Sequence, residues 1–254
     1  MLTTAQYEKK LAERIADLEL LLKKKQDDVT LDQIINILNV SATFALTNCV
    51  GRHLPNLDRL ISKVASIIRN QHTRHQSSSG ISVILASEIY LDGGHSRIVE
   101  DIVDLAQDKV FVVLTDYNGN YLGGKLELGQ IYERLRGASV VVLPNGTHIS
   151  KVLSLTNLIN LVTPDKLYLL LHHADSIGYT AALAHKVDGL KTFYIHHADH
   201  NPTLGATFKY DKHLDTTEEY CRNCEKNGQE NCLVMPLYVK DKGKKSGKIN
   251  NTKI

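Results

Sequence analysis

Apolar residues recur along the chain in two rhythms, and the change of rhythm divides it. Within residues 4–25, Leu11, Ile15, Leu18 and Leu22 are spaced by four, three and four positions, with Glu and Lys between them. That is the stripe of an amphipathic helix. Ile34, Ile35 and Leu38 after Asp32 predict a second helix, and positions 57, 60, 61, 64, 67 and 68 a third from Asn56 to Ile68, with Pro55 suited to its first turn. Residues 69–80 contain no aliphatic side chain and read as a linker or long surface loop. Residues 1–68 are therefore expected to form a small helical module. Its stripes must pack on one another, on the domain after the linker, or on a second chain.

Beyond residue 80 short β-branched runs take over: Ile81–Ala86, Val110–Leu114, Ser139–Leu143, Leu167–Leu171 and Thr192–Ile195. Helical patterns separate them, over residues 98–106, 126–135, 149–161 and 179–186. This alternation predicts βαβ units, and hence an α/β domain over residues 81–239 with a Rossmann-like parallel sheet flanked by helices. Strand order stays open. In such sheets ligands bind outside the carboxyl ends of the strands, so those ends are where chemistry is expected.

Composition narrows the classes. With 254 residues, 43% apolar and 23% charged, the chain has the make-up of a globular protein rather than a disordered one. Its apolar runs are short against the ~20 residues of a spanning helix. The first ten residues carry no apolar segment after their charges, so no secretion signal is read and a cytoplasmic location is expected. Net charge is +2, yet residues 240–254 hold six lysines and one acid, a local +5 that leaves −3 on the rest. This Lys-rich segment reads as a flexible, solvated tail with at most a peripheral contact at the inner face of a membrane, and there is no basic footprint for nucleic acid.

The predicted strand ends carry the candidate chemistry. After the first comes Asp92-Gly93-Gly94-His95-Ser96-Arg97. Gly93 and Gly94 allow close backbone approach, the helix start offers N–H groups, and Arg97 adds a fork suited to phosphate oxygens. A tight turn alone explains the same glycines. The pattern matches neither the dinucleotide-binding fingerprint nor the Walker loop. After the third strand, Pro144-Asn145-Gly146-Thr147-His148 reads as a loop with Thr147 capping the next helix. The fourth and fifth strands end in the same tetrapeptide, His172-His173-Ala174-Asp175 and His196-His197-Ala198-Asp199, the latter followed by His200 and Asn201. Histidine is the side chain that changes charge near neutral pH, and His/Asp clusters also bind zinc or iron. Adjacent histidines on an extended strand point to opposite sides, so His196 and His197 are not expected to share an ion. Cys221, Cys224 and Cys232 form C-x2-C-x7-C, with Cys49 far away. They are the weak metal candidate, needing His213 or Cys49 as a fourth ligand. Without a second C-x2-C, reduced thiols are expected in preference to structural zinc, and no cofactor is required.

The segments Asp92-Gly93-Gly94-His95-Ser96-Arg97-Ile98-Val99-Glu100, Leu171-His172-His173-Ala174-Asp175 and Tyr194-Ile195-His196-His197-Ala198-Asp199-His200-Asn201-Pro202, with Leu204-Gly205, resemble bacterial glycosyltransferases of the GT-B fold. These are of the kind found in surface-polysaccharide gene clusters. The resemblance runs over about residues 80–240, ending in Met235-Pro236-Leu237-Tyr238-Val239. It implies an amino-terminal, acceptor-side Rossmann-like domain, and transfer of a sugar from a nucleotide-sugar donor to a polysaccharide or glycan acceptor. Gly93 and Gly94 would face the donor diphosphate, with His95 and Arg97 beside them. His197 or His196 would lie near the transferred sugar with Asp199 in support, and His172, His173, His200 and Asn201 would contribute to substrate binding. The barrier in such chemistry falls through positioning and stabilisation of the leaving diphosphate.

The resemblance also implies a second Rossmann-like domain holding most of the donor site. Two domains of roughly 130–160 residues plus the helical module exceed this length. The chain is therefore expected to act as the acceptor half, with a donor half from a partner chain or a longer gene product. Two other readings stand beside it. One is a non-catalytic partner or homo-oligomerising module that uses the stripe in residues 1–68. The other is a metal-dependent hydrolase built from His172, His173, Asp175, His196, His197, Asp199 and His200.

Overall fold

Strands with unbroken apolar runs bury both faces, so a sheet made of them needs helices above and below. The computed structural model describes residues 4–48, 53–91, 93–121, 123–124, 127–197 and 201–236, and it has this α/β architecture. The chain opens with α1 (Thr4–Lys24), α2 (Asp28–Thr47) and α3 (Pro55–Arg69). Next come β1 (His75–Gln76), β2 (Ile81–Ala86), α4 (Gly94–Leu105), β3 (Lys109–Leu114), α5 (Leu128–Arg134), β4 (Ala138–Val142), α6 (His148–Val162) and β5 (Lys166–Leu170). The remainder is α7 (Ser176–Ala184), β6 (Val187–Asp188), β7 (Lys191–His196), β8 (Lys212–Asp215), α8 (Glu218–Lys226) and β9 (Cys232–Val234). Among the described residues, seven strands form one sheet in the order β4-β3-β2-β5-β7-β8-β9, every neighbour parallel.

Period-two alternation sorts the strand side chains. Val83 and Leu85 of β2 join one core with α6 and α7, while Ile84 and Ala86 join the other with α4 and α5. The first core continues into Ile15, Leu18 and Leu22 of α1, Leu31, Ile34, Ile35 and Leu38 of α2, and Leu57, Leu60, Ile61 and Val64 of α3. The stripe of α1 is thus buried inside this chain. The three helices and one sheet face share a continuous apolar interior. Within residues 69–80, β1 pairs in parallel with β6, and Ser78 N–H donates to Thr163 O at 2.6 Å. This segment is laced onto the sheet domain.

Polar contacts fix how the helices sit. Asp27 caps α2 by accepting from Thr30 N–H at 2.9 Å, which starts that helix a turn before the Asp32 expected from periodicity. Asp32 instead reaches α6, where its Oδ1 accepts from Ile149 N–H at 2.9 Å in the first turn. Seven residues on, Asn39 Oδ1 accepts from Ser176 N–H at 3.0 Å, in the first turn of α7. One polar edge of α2 therefore supplies acceptors to two helix N-termini whose N–H groups would otherwise lack partners. Among the described helices, α2 alone is long and apolar enough to cross a membrane; Leu31, Ile34, Ile35, Leu38, Ala42 and Ala45 bury one side of it in this core, while Val29, Val40 and Phe44 are exposed.

Asp58 of α3 performs a similar task on the other flank. It is 1% exposed and accepts from Gly205 N–H at 2.8 Å, Thr207 N–H at 3.2 Å and Thr207 Oγ1 at 2.6 Å. Burial pushes its carboxyl up to about 6 against the pull of these donors. The loop it holds passes so close to α7 that a Cβ on Gly205, at φ +81°, would lie 2.4 Å from Tyr179 Cε1.

The five runs identified by periodicity are β2, β3, β4, β5 and β7, but the sheet does not close there, because β8 and β9 extend it. In β8 the two buried positions are His213 and Asp215, the inverse of the usual apolar alternation. We predict that Asp58→Ala lowers unfolding stability by about 2–3 kcal/mol, since it strands buried donors. Urea denaturation followed by circular dichroism at pH 7 measures this, and an unchanged midpoint contradicts it.

Candidate functional site

β2 is flanked by β3 on one side and β5 on the other, and the chain winds outward in opposite directions from that point. Ligands in open α/β sheets bind in the crevice at this reversal. Its floor is organised by Asp175, which is fully buried. Oδ2 accepts from Ser87 Oγ at 2.6 Å and Thr115 Oγ1 at 2.5 Å, and Oδ1 caps α7 by accepting from Gly178 N–H at 2.9 Å. Ser87 Oγ in turn accepts from His172 N–H at 2.7 Å. The ends of β2, β3 and β5 are thereby tied to one carboxylate.

Above this floor lies a cavity of about 130 Å³ lined by Ser87, Glu88, Tyr90, His95, His172 and His197. His95 comes from the first turn of α4, His172 follows β5, and His197 follows β7. Among the described residues, six rings run along the crevice. Tyr90 to His95 is 6.0 Å between centroids, His95 to His197 5.3 Å, His197 to His173 5.6 Å, His173 to His172 5.5 Å, and His172 to Tyr117 5.2 Å. Burial holds the imidazoles of His95 and His172 below their ordinary range. It holds His197 down to about 3, with His95 and His173 adding to the effect. These rings are neutral at pH 7, each able to give and accept one hydrogen bond.

Glu88 closes one side. Only 1% exposed, its carboxylate accepts from Asn118 N–H at 3.1 Å, Asn118 Nδ2 at 3.0 Å, Asn120 Nδ2 at 2.9 Å and the Tyr90 hydroxyl. Burial and this contact push Tyr90 up to about 12. Periodicity and spacing do not single out Glu88, Tyr90 or Tyr117. The position of Glu88, two residues beyond a predicted strand, was the one sequence signal for it.

The glycine pair sits at the mouth. Gly93 caps α4 with φ +135°, a backbone conformation open to glycine. A Cβ on Gly94 would meet no atom within 4 Å, so packing does not explain that glycine. Arg97 does not turn toward the crevice. It pairs with Glu100 at 3.0 Å and Asp101 at 2.8 Å along its own helix, which removes it as the expected phosphate fork. Glu100 also pairs with Arg134, which donates to the carbonyls of Tyr90 and Leu91 and braces the loop. Asn201 is half-buried at the start of the next loop. Asp92, Asp199, His200, Cys49 and residues 237–254 lie outside the described residues.

His196 and His197 part as the strand geometry requires. His196, 3% exposed, faces away from the crevice. Its Nδ1 is 3.0 Å from Asp215 Oδ1 and 3.6 Å from Cys224 Sγ. Cys224 Sγ is 3.5 Å from Asp215 Oδ1, and so is His213 Nε2. Burial opposes the charge on Asp215, yet the facing imidazoles bring its carboxyl down to about 2. Asp215 also lies with Cys221 and Cys232 in an adjoining group. His196 is thus separated from the catalytic position expected for it. Among the described residues of the hydrolase set, Asp175 bonds within the floor and His196 within the buried group.

Neither a comparison with models of known protein families nor one with curated proteins finds a match.

Because the folded imidazole of His197 resists protonation that the unfolded chain accepts near pH 6.5, its contribution to stability is complete above that pH. It drains as pH falls toward 3. We predict that wild type loses stability between pH 6.5 and 4.5. His197→Asn should show a slope smaller by up to about 1.4 kcal/mol per pH unit. Urea midpoints across this range test it, and parallel slopes refute it.

Proposed function

We propose that the crevice is the acceptor-side half of a glycosyltransferase site, serving transfer from a nucleotide sugar to a glycan or polysaccharide hydroxyl. The observation that carries this reading is the meeting of neutral His95, His172 and His197 with Glu88 beside the open Gly93–Gly94 start of α4. Sugar hydroxyls donate and accept at once, and neutral imidazoles and a carboxylate answer both needs. The row of ring faces suits the C–H face of a pyranose. With its imidazole held down to about 3, His197 is a weak base, so its part in our reading is to orient an attacking hydroxyl by hydrogen bonding rather than to take its proton. The leading N–H groups of α4 suit the anionic oxygens of a leaving diphosphate.

Size points the same way. Complete small-molecule pockets span about 300–1,000 Å³, whereas this one holds about 130 Å³. That accommodates one sugar ring or a phosphate. In our reading the rest of the donor site comes from a second Rossmann-like domain, in a partner chain or a longer gene product. Nucleotide-sugar chemistry of this kind is cytoplasmic, and the lysines between Lys240 and Lys253 suit a peripheral contact with an anionic leaflet.

Histidine ring proton resonances report the site directly. Titration with nucleoside diphosphates and simple hexoses is expected to shift the signals of His95, His172, His173 and His197, while His185 stays still. Absence of any such shift at millimolar ligand contradicts the proposal. Gly94→Ala should leave folding unchanged or raise stability by up to about 1 kcal/mol, while weakening diphosphate binding. Equal affinity in the two proteins would remove α4 from the site.

A further inference from the structure

The buried group behind the crevice carries an inference independent of the transferase reading. His213 and Asp215 are fully buried, Cys224 is 2% exposed and His196 3%. Despite this burial, His196 Nε2, both ring nitrogens of His213 and Asp215 Oδ2 have no hydrogen-bond partner in the protein. Buried polar atoms are ordinarily paired, and leaving one unpaired is costly. Of the four atoms here, His213 Nε2 also faces Asp215 Oδ1 at 3.5 Å across the space between the four side chains, where a bound cation would satisfy it.

The four side chains each present a donor atom, all within 4.8 Å of one another. A tetrahedral zinc ion, with Zn–N and Zn–O of about 2.0–2.1 Å and Zn–S of about 2.3 Å, has edges of about 3.3–3.8 Å. Four of the six edges are 3.0 Å from His196 to Asp215, shorter than a tetrahedral edge, 3.5 Å from His213 to Asp215, 3.5 Å from Cys224 to Asp215 and 3.6 Å from Cys224 to His196, and the other two are at most 4.8 Å. Charge agrees with geometry. One carboxylate, one thiolate and two neutral imidazoles balance a divalent cation, so the occupied pocket is neutral and tolerates burial.

We propose that His196, Asp215, His213 and Cys224 bind one zinc ion as a structural centre at the carboxyl edge of β7 and β8. Binding replaces the Cys224 S–H bond with a Zn–S bond, and the proton leaves to solvent. Cys221 and Cys232, which share Asp215 with the set, stand outside the tetrahedron as its thiol neighbours. The ion would join β7, β8 and α8. It would also fix the peptide next to His197, so the wall of the crevice depends on it.

Full-length protein produced with zinc and dialysed free of excess metal is expected to hold about one equivalent by elemental analysis. Cys224→Ser and His213→Asn should each lose at least four-fifths of it, and Cys221→Ser should keep it. Adding a chelator should lower the thermal midpoint, and zinc should restore it. Cobalt(II) added to the stripped wild type answers independently of how the variants fold, since the proposed set gives tetrahedral visible bands with the charge-transfer absorption of one thiolate. Wild type without metal, an octahedral cobalt spectrum lacking a thiolate band, or a Cys221–Cys232 disulfide in place of the ion would each overturn the proposal. Loss of zinc in Cys221→Ser as complete as in Cys224→Ser would overturn the ligand set.

Discussion

Asp175 is the point on which the crevice depends. Where the winding of a parallel sheet reverses, a gap opens between the strand ends, and something must hold those ends in register. Here one buried carboxylate accepts from Ser87 after β2, Thr115 after β3 and Gly178 in α7. Through Ser87 it also sets the backbone of His172. Buried carboxylates survive when several donors satisfy them, and these donors come from three different elements. The cost of burying the charge is thereby converted into a fixed geometry for the histidines above it. The repeated tetrapeptide takes its first meaning from this. In the copy at 172–175 the aspartate is a structural hub, and the two histidines belong to the crevice.

The second consequence comes from the pleat. His196 and His197 are adjacent in sequence, and the end of β7 sends them to opposite sides. One ring enters a crevice with other neutral imidazoles, the other a sealed pocket with Asp215 and Cys224. Two chemically distinct centres thus share a single peptide bond, and any ordering of one constrains the other.

The helical layer is bound to the sheet domain by the same economy of means. Its apolar stripes merge with the core beneath the sheet, and α2 contributes Asp32 and Asn39 to the N-termini of α6 and α7. Asp58 holds the loop carrying Gly205 and Thr207. The layer therefore determines where α7 begins, and with it the placement of the Asp175 hub.

The fold was legible where periodicity is strong. Five apolar runs alternating with helical stripes dictate a parallel α/β sheet, because strands buried on both faces and helices of one-sided polarity have few other ways to hide their apolar surface. Opposite orientations for His196 and His197 came from the two-residue repeat alone. What the pattern could not reach was long-range. β8 escaped because its buried residues, His213 and Asp215, are polar and make sense only beside His196 and Cys224, which come from other elements. Most donors to Glu88 and Asp175 lie thirty to ninety positions away. Arg97 looked free until its helix supplied Glu100 and Asp101 as partners. Local sequence sets element type through spacing. Which polar side chains meet, and which are left to face a ligand, is decided only when the strands are laid side by side.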